Sequence, residues 1–178
     1  MDNERIIFEK EYMVSKAQYI EGRMAYEKKF GRLRNSTLWL ILSIIIMALP
    51  FSLINWLLTM SYGIIIIAVI FLCGLGIFIF NLFLRPSFYK ELIQKDYDNS
   101  ILFSSKQNII LKRDTYVYQN CCEKLFGYYS ECPCAIETKS LIVIGSDIAG
   151  KIIIIPKNEI SSEIISFLKE NFGVRYIK

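Results

Sequence analysis

The chain has 178 residues, of which 53% are hydrophobic and 21% are charged, and its net charge is +4 at pH 7. So small a charge, without a dense basic stripe, argues against a nucleic-acid partner. Histidine is absent, which excludes Ser-His-Asp or Cys-His catalysis and an HExxH metal site. No glycine-rich phosphate loop is present either, so we expect a protein that is not an enzyme and uses no cofactor.

The N-terminal arm, residues 1–34, lacks the apolar core of a cleavable signal peptide. Residues 6–8 could form a short strand. A following helix is predicted by apolar residues that recur at helical spacing on one face: Met13, Ala17, Ile20 and Met24. We expect this helix to run on into the next segment, with Gly31 as a candidate hinge.

Residues 35–84 contain no charged side chain. About 20 helical residues cross the hydrocarbon core of a bilayer, so fifty residues predict two crossings, at 38–54 and 64–84, joined by a short turn. Pro50 should kink the first crossing near its outer end. Because neither crossing contains an Asp, Glu, Lys or Arg, we expect the two helices to anchor the protein and not to form a transport pathway.

Small residues in the second crossing predict close approach of the two helices. We expect this face to pack on Ser43 and Ala48, and its members are Ala68, Cys73, Gly74 and Gly76.

Basic residues flank the hairpin on both sides, whereas its turn is uncharged. They are Arg23, Lys28, Lys29, Arg32 and Arg34 before it, and Arg85, Lys90 and Lys95 after it. Because Lys and Arg accumulate on the cytoplasmic side, we expect a multi-pass membrane protein with both termini in the cytoplasm. The four basic residues just before the hairpin could also form a specific lipid site, although topology alone accounts for them: Lys28, Lys29, Arg32 and Arg34.

The C-terminal segment, residues 85–178, begins with a predicted helix at 88–94 and a turn at 96–100. Short strands with a period of two follow, at 101–103, 109–112, 115–121, 124–129, 135–138 with 141–144, and 151–155. Gly127 is expected to mark a bulge, and residues 145–150 a hairpin turn. Ser161 and Glu163 should begin a helix that Gly173 ends. The prediction is an α+β fold: a two-helix transmembrane hairpin plus an antiparallel meander closed by an amphipathic helix.

Three short stretches of this segment carry a family resemblance: residues 97–103 (YDNSILF), 128–131 (YYSE) with 136–139 (IETK), and 153–157 (IIIPK). Together with the acidic-aromatic arm and the hairpin, they resemble the YcxB-like family of bacterial membrane proteins. The resemblance implies a pleckstrin-homology-like (PH-like) cytoplasmic domain at residues 85–178, in a protein of the bacterial cell membrane. It implies no catalytic residues.

Four cysteines form the one suggestive metal-ligand cluster: Cys121, Cys122, Cys132 and Cys134. Four thiolates can hold zinc, but the spacing departs from the usual CxxC pairs and adjacent residues of a strand face opposite ways. Free thiols that pack as small hydrophobic groups are the favoured interpretation, and no metal site is predicted.

Other side chains admit two interpretations. Aromatic residues could line a ligand groove, although strand packing is favoured: Tyr116, Tyr118, Phe126, Tyr128 and Tyr129. Basic residues could contact lipid headgroups or guard a sheet edge: Lys112, Arg113, Lys151 and Lys157. Glu159 and Glu163 are expected to complement a helix dipole.

The sequence therefore predicts a non-enzymatic, membrane-anchored protein whose cytoplasmic domain binds a protein partner or the inner membrane surface. Two alternatives stay open: an immunity protein against a bacteriocin or toxin, and a cysteine-based metal or redox sensor. The expected partners are the lipid bilayer, through two crossings, and another protein or a second copy of the chain.

Overall fold

The computed structural model describes residues 5–52, 56, 59, 62–146 and 151–178. These residues form helices and two sheets that are mainly antiparallel, which confirms the α+β class. The chain divides into two compact units, the sheet unit of residues 1–26 with 92–178 and the hairpin unit of residues 27–91. The predicted division into 1–34, 35–84 and 85–178 followed charge and hydropathy, and it stays a prediction.

Two apolar helices, α2 (Ser36–Ser52) and α3 (Gly63–Ile79), lie side by side. The Ser36 hydroxyl donates to the Asn81 carbonyl oxygen at 3.5 Å, and Gly74 lies beside Ser43, so the helices run in opposite directions. A Cβ at position 74 would lie 2.6 Å from Met47 Cγ, whereas one at Gly76 would meet nothing within 4 Å. The predicted close approach therefore holds for Gly74 and is wrong for Gly76.

Helix α3 continues through a π-helical turn, Phe80–Leu84, into α4 (Arg85–Asn99). The resulting helix, Gly63–Asn99, has 37 residues and is the one described helix long and apolar enough to cross a membrane. Helix α2 is shorter, so two crossings are not confirmed by length and composition. Pro50, at which the sequence predicts a kink, lies inside α2.

The turn predicted at 96–100 is wrong, because α4 extends to Asn99. Two long-range contacts hold that end helical. The Tyr97 hydroxyl donates to the Val14 carbonyl oxygen at 3.0 Å, and Asp98 pairs with Lys16 at 2.7 Å. The strand predicted at 101–103 is also wrong, since Ile101–Ser104 forms a short helix, α5.

Four strands form the first sheet, in the order β1-β2-β3-β4, with all pairs antiparallel. They are β1 (Ile6–Tyr12), β2 (Gln107–Lys112), β3 (Thr115–Gln119) and β4 (Lys124–Tyr128). The bulge predicted at Gly127 is wrong, because this residue pairs in register with Tyr116. Glycine is required there for space: a Cβ would lie 2.5 Å from the Tyr116 hydroxyl oxygen.

The second sheet has the order β7-β6-β5-β8. Its strands are β5 (Cys134–Glu137), β6 (Leu141–Gly145), β7 (Ile152–Pro156) and β8 (Tyr176–Ile177), and β8 runs parallel to β5. Residues 147–150 of the predicted hairpin turn lie outside the described residues. Strand β6 is buried along its whole length and forms the centre of the core.

Helix α1 (Lys16–Lys29) belongs in part to this core, since a Cβ at Gly22 would lie 2.9 Å from Ile154 Cδ1. Met13 precedes the helix and is 59% exposed, while Tyr19 is buried, so the predicted apolar face is wrong at its first position. The helix ends at Lys29 and does not run into α2. The turn that follows is fixed by the Glu27 carboxylate, which accepts from the Arg32 N–H at 2.8 Å.

The C-terminal helix α6 (Ser162–Phe172) begins and ends as predicted. The Ser161 hydroxyl accepts from the Ile164 N–H, which is the usual N-cap contact. Gly173 has φ of 51°, a conformation that favours glycine. The helix buries Ile164, Leu168 and Phe172.

Candidate functional site

The four candidate cysteines lie in two different environments. Cys121 and Cys122 are exposed on the turn that follows β3, whereas Cys132 and Cys134 are buried in the core. Within the described residues, no three side chains of His, Cys, Asp or Glu come together as metal ligands. The structure therefore separates the predicted four-cysteine cluster into an exposed pair and a buried pair.

The exposed pair lies on a turn that one asparagine holds in shape. Asn120 Oδ1 accepts from the backbone N–H groups of Cys122 and Glu123, each at 2.9 Å. The Asn120 N–H donates to the Glu123 carbonyl oxygen at 3.0 Å. With the turn held in this way, the sulfur atoms of Cys121 and Cys122 are 3.4 Å apart.

The two exposed thiols differ in acidity. Hydrogen bonding from the Ser105 side chain, and then from Cys122, lowers the pKa of Cys121. The same contact with Cys121 raises the pKa of Cys122. In the core, burial raises the pKa of the Cys134 thiol to about 11. Because the thiolate is the reactive form of cysteine, the directions of these pKa shifts make Cys121 the most readily ionised of the three thiols.

Cys121 also lines an open polar groove of about 670 Å³ at one end of the first sheet. Ser105 and two lysines, Lys10 and Lys106, line the same groove. Glu9 and Glu11 line the groove as well, and each lysine pairs with a carboxylate, Lys10 with Glu159 at 3.5 Å and Lys106 with Glu11 at 3.2 Å. The lining of the groove therefore carries no net charge.

The candidate aromatic residues also fall into two groups. Tyr116, Tyr118 and Tyr129 are buried, as strand packing predicts. Phe126 and Tyr128 are 59% and 44% exposed, and their rings meet edge to face with centroids 5.4 Å apart. Both lie on β4, the edge strand of the first sheet, and no described strand pairs with its outer side.

Two of the basic candidates are already engaged in ion pairs. Lys157 donates to the Glu137 carboxylate at 2.8 Å and to the Thr138 carbonyl oxygen at 2.6 Å. Lys151 donates to the Glu123 carboxylate. The hydrogen bond from Lys157 is the largest of the effects that lower the pKa of Glu137. Neither lysine offers a free ammonium group for a lipid headgroup, which favours a structural role.

Three further charged candidates, Arg113, Glu159 and Glu163, lie outside the strands. Arg113 lines an open groove of about 570 Å³ with Arg5, Ile6 and Ile7. Glu163 lies in the first turn of α6, as expected for a dipole contact. Glu159 instead lies before the helix and pairs with Lys10 at 3.5 Å.

A polar contact inside the hairpin unit was missed in the sequence. Asn81 is buried within the π-helical turn, and its side-chain amide donates to the Ile77 carbonyl oxygen at 2.9 Å. Arg85 donates to Asn81 Oδ1 at 3.1 Å and to the Arg32 carbonyl oxygen at 2.5 Å. The position of Asn81 among apolar residues was the signal in the sequence that could have predicted this contact, because a buried side-chain amide needs hydrogen-bond partners.

Comparison with known proteins gives no similar chain: no family model, no curated protein and no solved structure matches this sequence.

Proposed function

We propose that this chain is a non-enzymatic protein anchored in the bacterial cell membrane by the α2–α3 hairpin, with the sheet unit in the cytoplasm. The pairing of β1 with β2 carries the proposal, because it joins Ile6–Tyr12 to Gln107–Lys112 in one sheet. Strands of one sheet lie on the same side of a bilayer. The chain between them therefore crosses an even number of times, and if α3 crosses, α2 is the return crossing.

The surface of the hairpin supports a lipid environment. In the most apolar 18-residue window of the long helix, only 11% of the residues are buried. Large apolar side chains are exposed along both helices, among them Leu38, Ile41, Ile64 and Leu72. Soluble proteins rarely leave so large an apolar surface in water, whereas a hydrocarbon core accepts it without cost.

The length of α2 is compatible with a short crossing. Seventeen residues at 1.5 Å each give about 26 Å, and observed transmembrane helices start at about 17 residues. The absence of charge from 35 to 84 and the basic residues on both flanks favour both termini in the cytoplasm.

The sheet unit suits the PH-like fold that the family resemblance implies. In support, it has two mainly antiparallel sheets and a C-terminal helix whose apolar face, including Leu168 and Phe172, is buried.

We assign partner binding to the outer edge of β4. An edge strand with unpaired backbone groups can accept a strand from another chain, and exposed aromatic side chains then provide specificity. Phe126 and Tyr128 supply such a pair. A lipid headgroup would not satisfy the row of backbone groups, so a protein partner suits this edge better.

Cysteine labelling tests the topology. A variant that keeps only Cys121 should react with a membrane-impermeant maleimide in inverted vesicles and not in intact cells. A variant that keeps only buried Cys134 is the matched control and should react only after denaturation. Labelling of Cys121 in intact cells would refute the cytoplasmic placement, and release of the protein by alkaline carbonate would refute the anchor.

Photo-crosslinking in cells tests the partner surface. Benzoylphenylalanine at position 126 should give a discrete protein adduct, while the same residue at Val174, which is fully exposed, should not. Adducts confined to phospholipid would favour the membrane surface instead, and identical adducts at both positions would contradict binding at β4.

A further inference from the structure

We propose that Cys121 and Cys122 form a two-thiol chelating site for a trivalent arsenical or an ion of the same thiophilic class. This inference goes beyond the anchoring and partner binding proposed above and depends on neither. It rests on the distance between the sulfur atoms, the turn that fixes it, and the exposure of both thiols.

The sulfur separation fits chelation better than it fits a disulfide. Two sulfurs bonded to one centre at about 2.3 Å, with bond angles of about 90–110°, are separated by about 3.3–3.8 Å. The observed 3.4 Å falls within that range. A disulfide needs about 2.05 Å between sulfurs and usually at least about 4.4 Å between Cα atoms, whereas adjacent Cα atoms are about 3.8 Å apart.

The number of available ligands selects the class of ion. A structural zinc site takes four protein ligands, and within the described residues no third Cys, His, Asp or Glu joins this pair. A monosubstituted arsenical brings one carbon substituent of its own. Two thiolates then complete its three-coordinate shell, so the pair is sufficient without Cys132 or Cys134.

The local structure prepares the pair for capture. Asn120 fixes the turn through two backbone N–H groups, so little conformational freedom is lost on binding. Both thiols are exposed, so a reagent in solution reaches the two sulfur atoms together.

The reaction balances without an oxidant or reductant. The first sulfur attacks the arsenic of an organoarsenic oxide and the second sulfur follows. Two S–H bonds break, two As–S bonds form, and the oxide oxygen leaves with both protons as water. Arsenic stays trivalent throughout.

Intact-mass spectrometry of the full chain in detergent tests the site with phenylarsine oxide as the probe. The unsubstituted protein should gain one phenylarsenic group per chain, which 2,3-dimercaptopropanol should remove. Cys121→Ser and Cys122→Ser should each dissociate the probe at least 10-fold faster. The double variant C132S/C134S is the matched control and should bind as the unsubstituted chain does.

Asn120→Ala keeps both thiols and isolates the role of the turn. We expect its adduct to dissociate several-fold faster than that of the unsubstituted chain, with the same stoichiometry. Failure of the unsubstituted protein to bind while both thiols react with a monofunctional maleimide would overturn the proposal. So would an adduct that persists in the variant C121S/C122S.

Discussion

Substitution of Gly127 by alanine tests how the first sheet packs. The new Cβ would lie 2.5 Å from the Tyr116 hydroxyl oxygen and 2.6 Å from its Cζ. Ordinary contact starts at about 3.4 Å, so the ring must retreat by about 0.9 Å. Tyr116 is fully buried, packs against Tyr129 and contacts Cys132 Sγ at 3.4 Å, so it has little room to move.

The expected loss follows from these contacts. Overpacking of a filled core costs about 1–3 kcal/mol, and replacing glycine within a strand returns about 0.5–1 kcal/mol. The midpoints of these two ranges leave a net destabilisation of the sheet unit by about 1 kcal/mol in Gly127→Ala. Hydrogen exchange at the buried amides of Ile142, Val143 and Ile144 measures that free energy in the full chain.

A double-mutant cycle gives the control. Tyr116→Leu removes Cε1, Cζ and the hydroxyl, so Gly127→Ala in that background should lack the steric cost and stabilise the sheet unit by about 0.5–1 kcal/mol. The difference between the two backgrounds is the coupling energy of the contact. An equal effect of Gly127→Ala in both backgrounds, or no effect in the native background, would refute steric conflict with Tyr116 as the reason for glycine.

Three further substitutions test other contacts. Gly74→Leu should destabilise the hairpin by about 1–3 kcal/mol through overpacking, whereas Gly76→Leu should leave its stability unchanged. Hydrogen exchange of the hairpin amides in detergent measures both effects, and equal losses would contradict close packing at position 74. The hydrogen bond from Lys157 holds the pKa of Glu137 below its usual value of 4.5. The ionised carboxylate therefore stabilises the folded state above pH 4.5, and this stabilisation is lost as the pH falls through the folded-state pKa. Glu137→Gln should lower stability at pH 7 and weaken this acid dependence in urea titrations, and an unchanged pH profile would argue against the ion pair. Ser161→Ala should destabilise α6 by about 1 kcal/mol through loss of the N-cap, which is measured as faster amide hydrogen exchange in the first turn. Ser161→Asp keeps a capping oxygen and should retain slow exchange, and equal exchange rates in the two variants would exclude capping.

Local signals account for what the sequence predicts well. Ser161 caps α6 and Gly173 ends it through contacts within a few residues. The strands at Thr115–Gln119 and Leu141–Gly145 likewise follow from β-branched and aromatic composition. These features need no knowledge of distant parts of the chain.

Distant contacts account for what the sequence misses. The helical end at Tyr97 and Asp98 depends on Val14 and Lys16, more than 80 residues earlier. Glycine is required at position 127 because the Tyr116 ring on the neighbouring strand fills the space of a Cβ. In the sequence, such a glycine cannot be distinguished from one that marks a bulge. The alternation of side chains along β4 does not show which face of the strand is covered. The exposure of Phe126 could therefore not be predicted from the sequence.

The pairing of β1 with β2 also sets an order of events during synthesis. Ile6 pairs with Lys112, so about a hundred residues must leave the ribosome before the first strand finds its neighbour. At about 5–20 residues per second this delay is about 5–20 s, and it covers the whole interval in which the apolar helices are made. During that time Ile6 and Ile7 have no sheet to join, and their apolar side chains stay available for contacts with other chains.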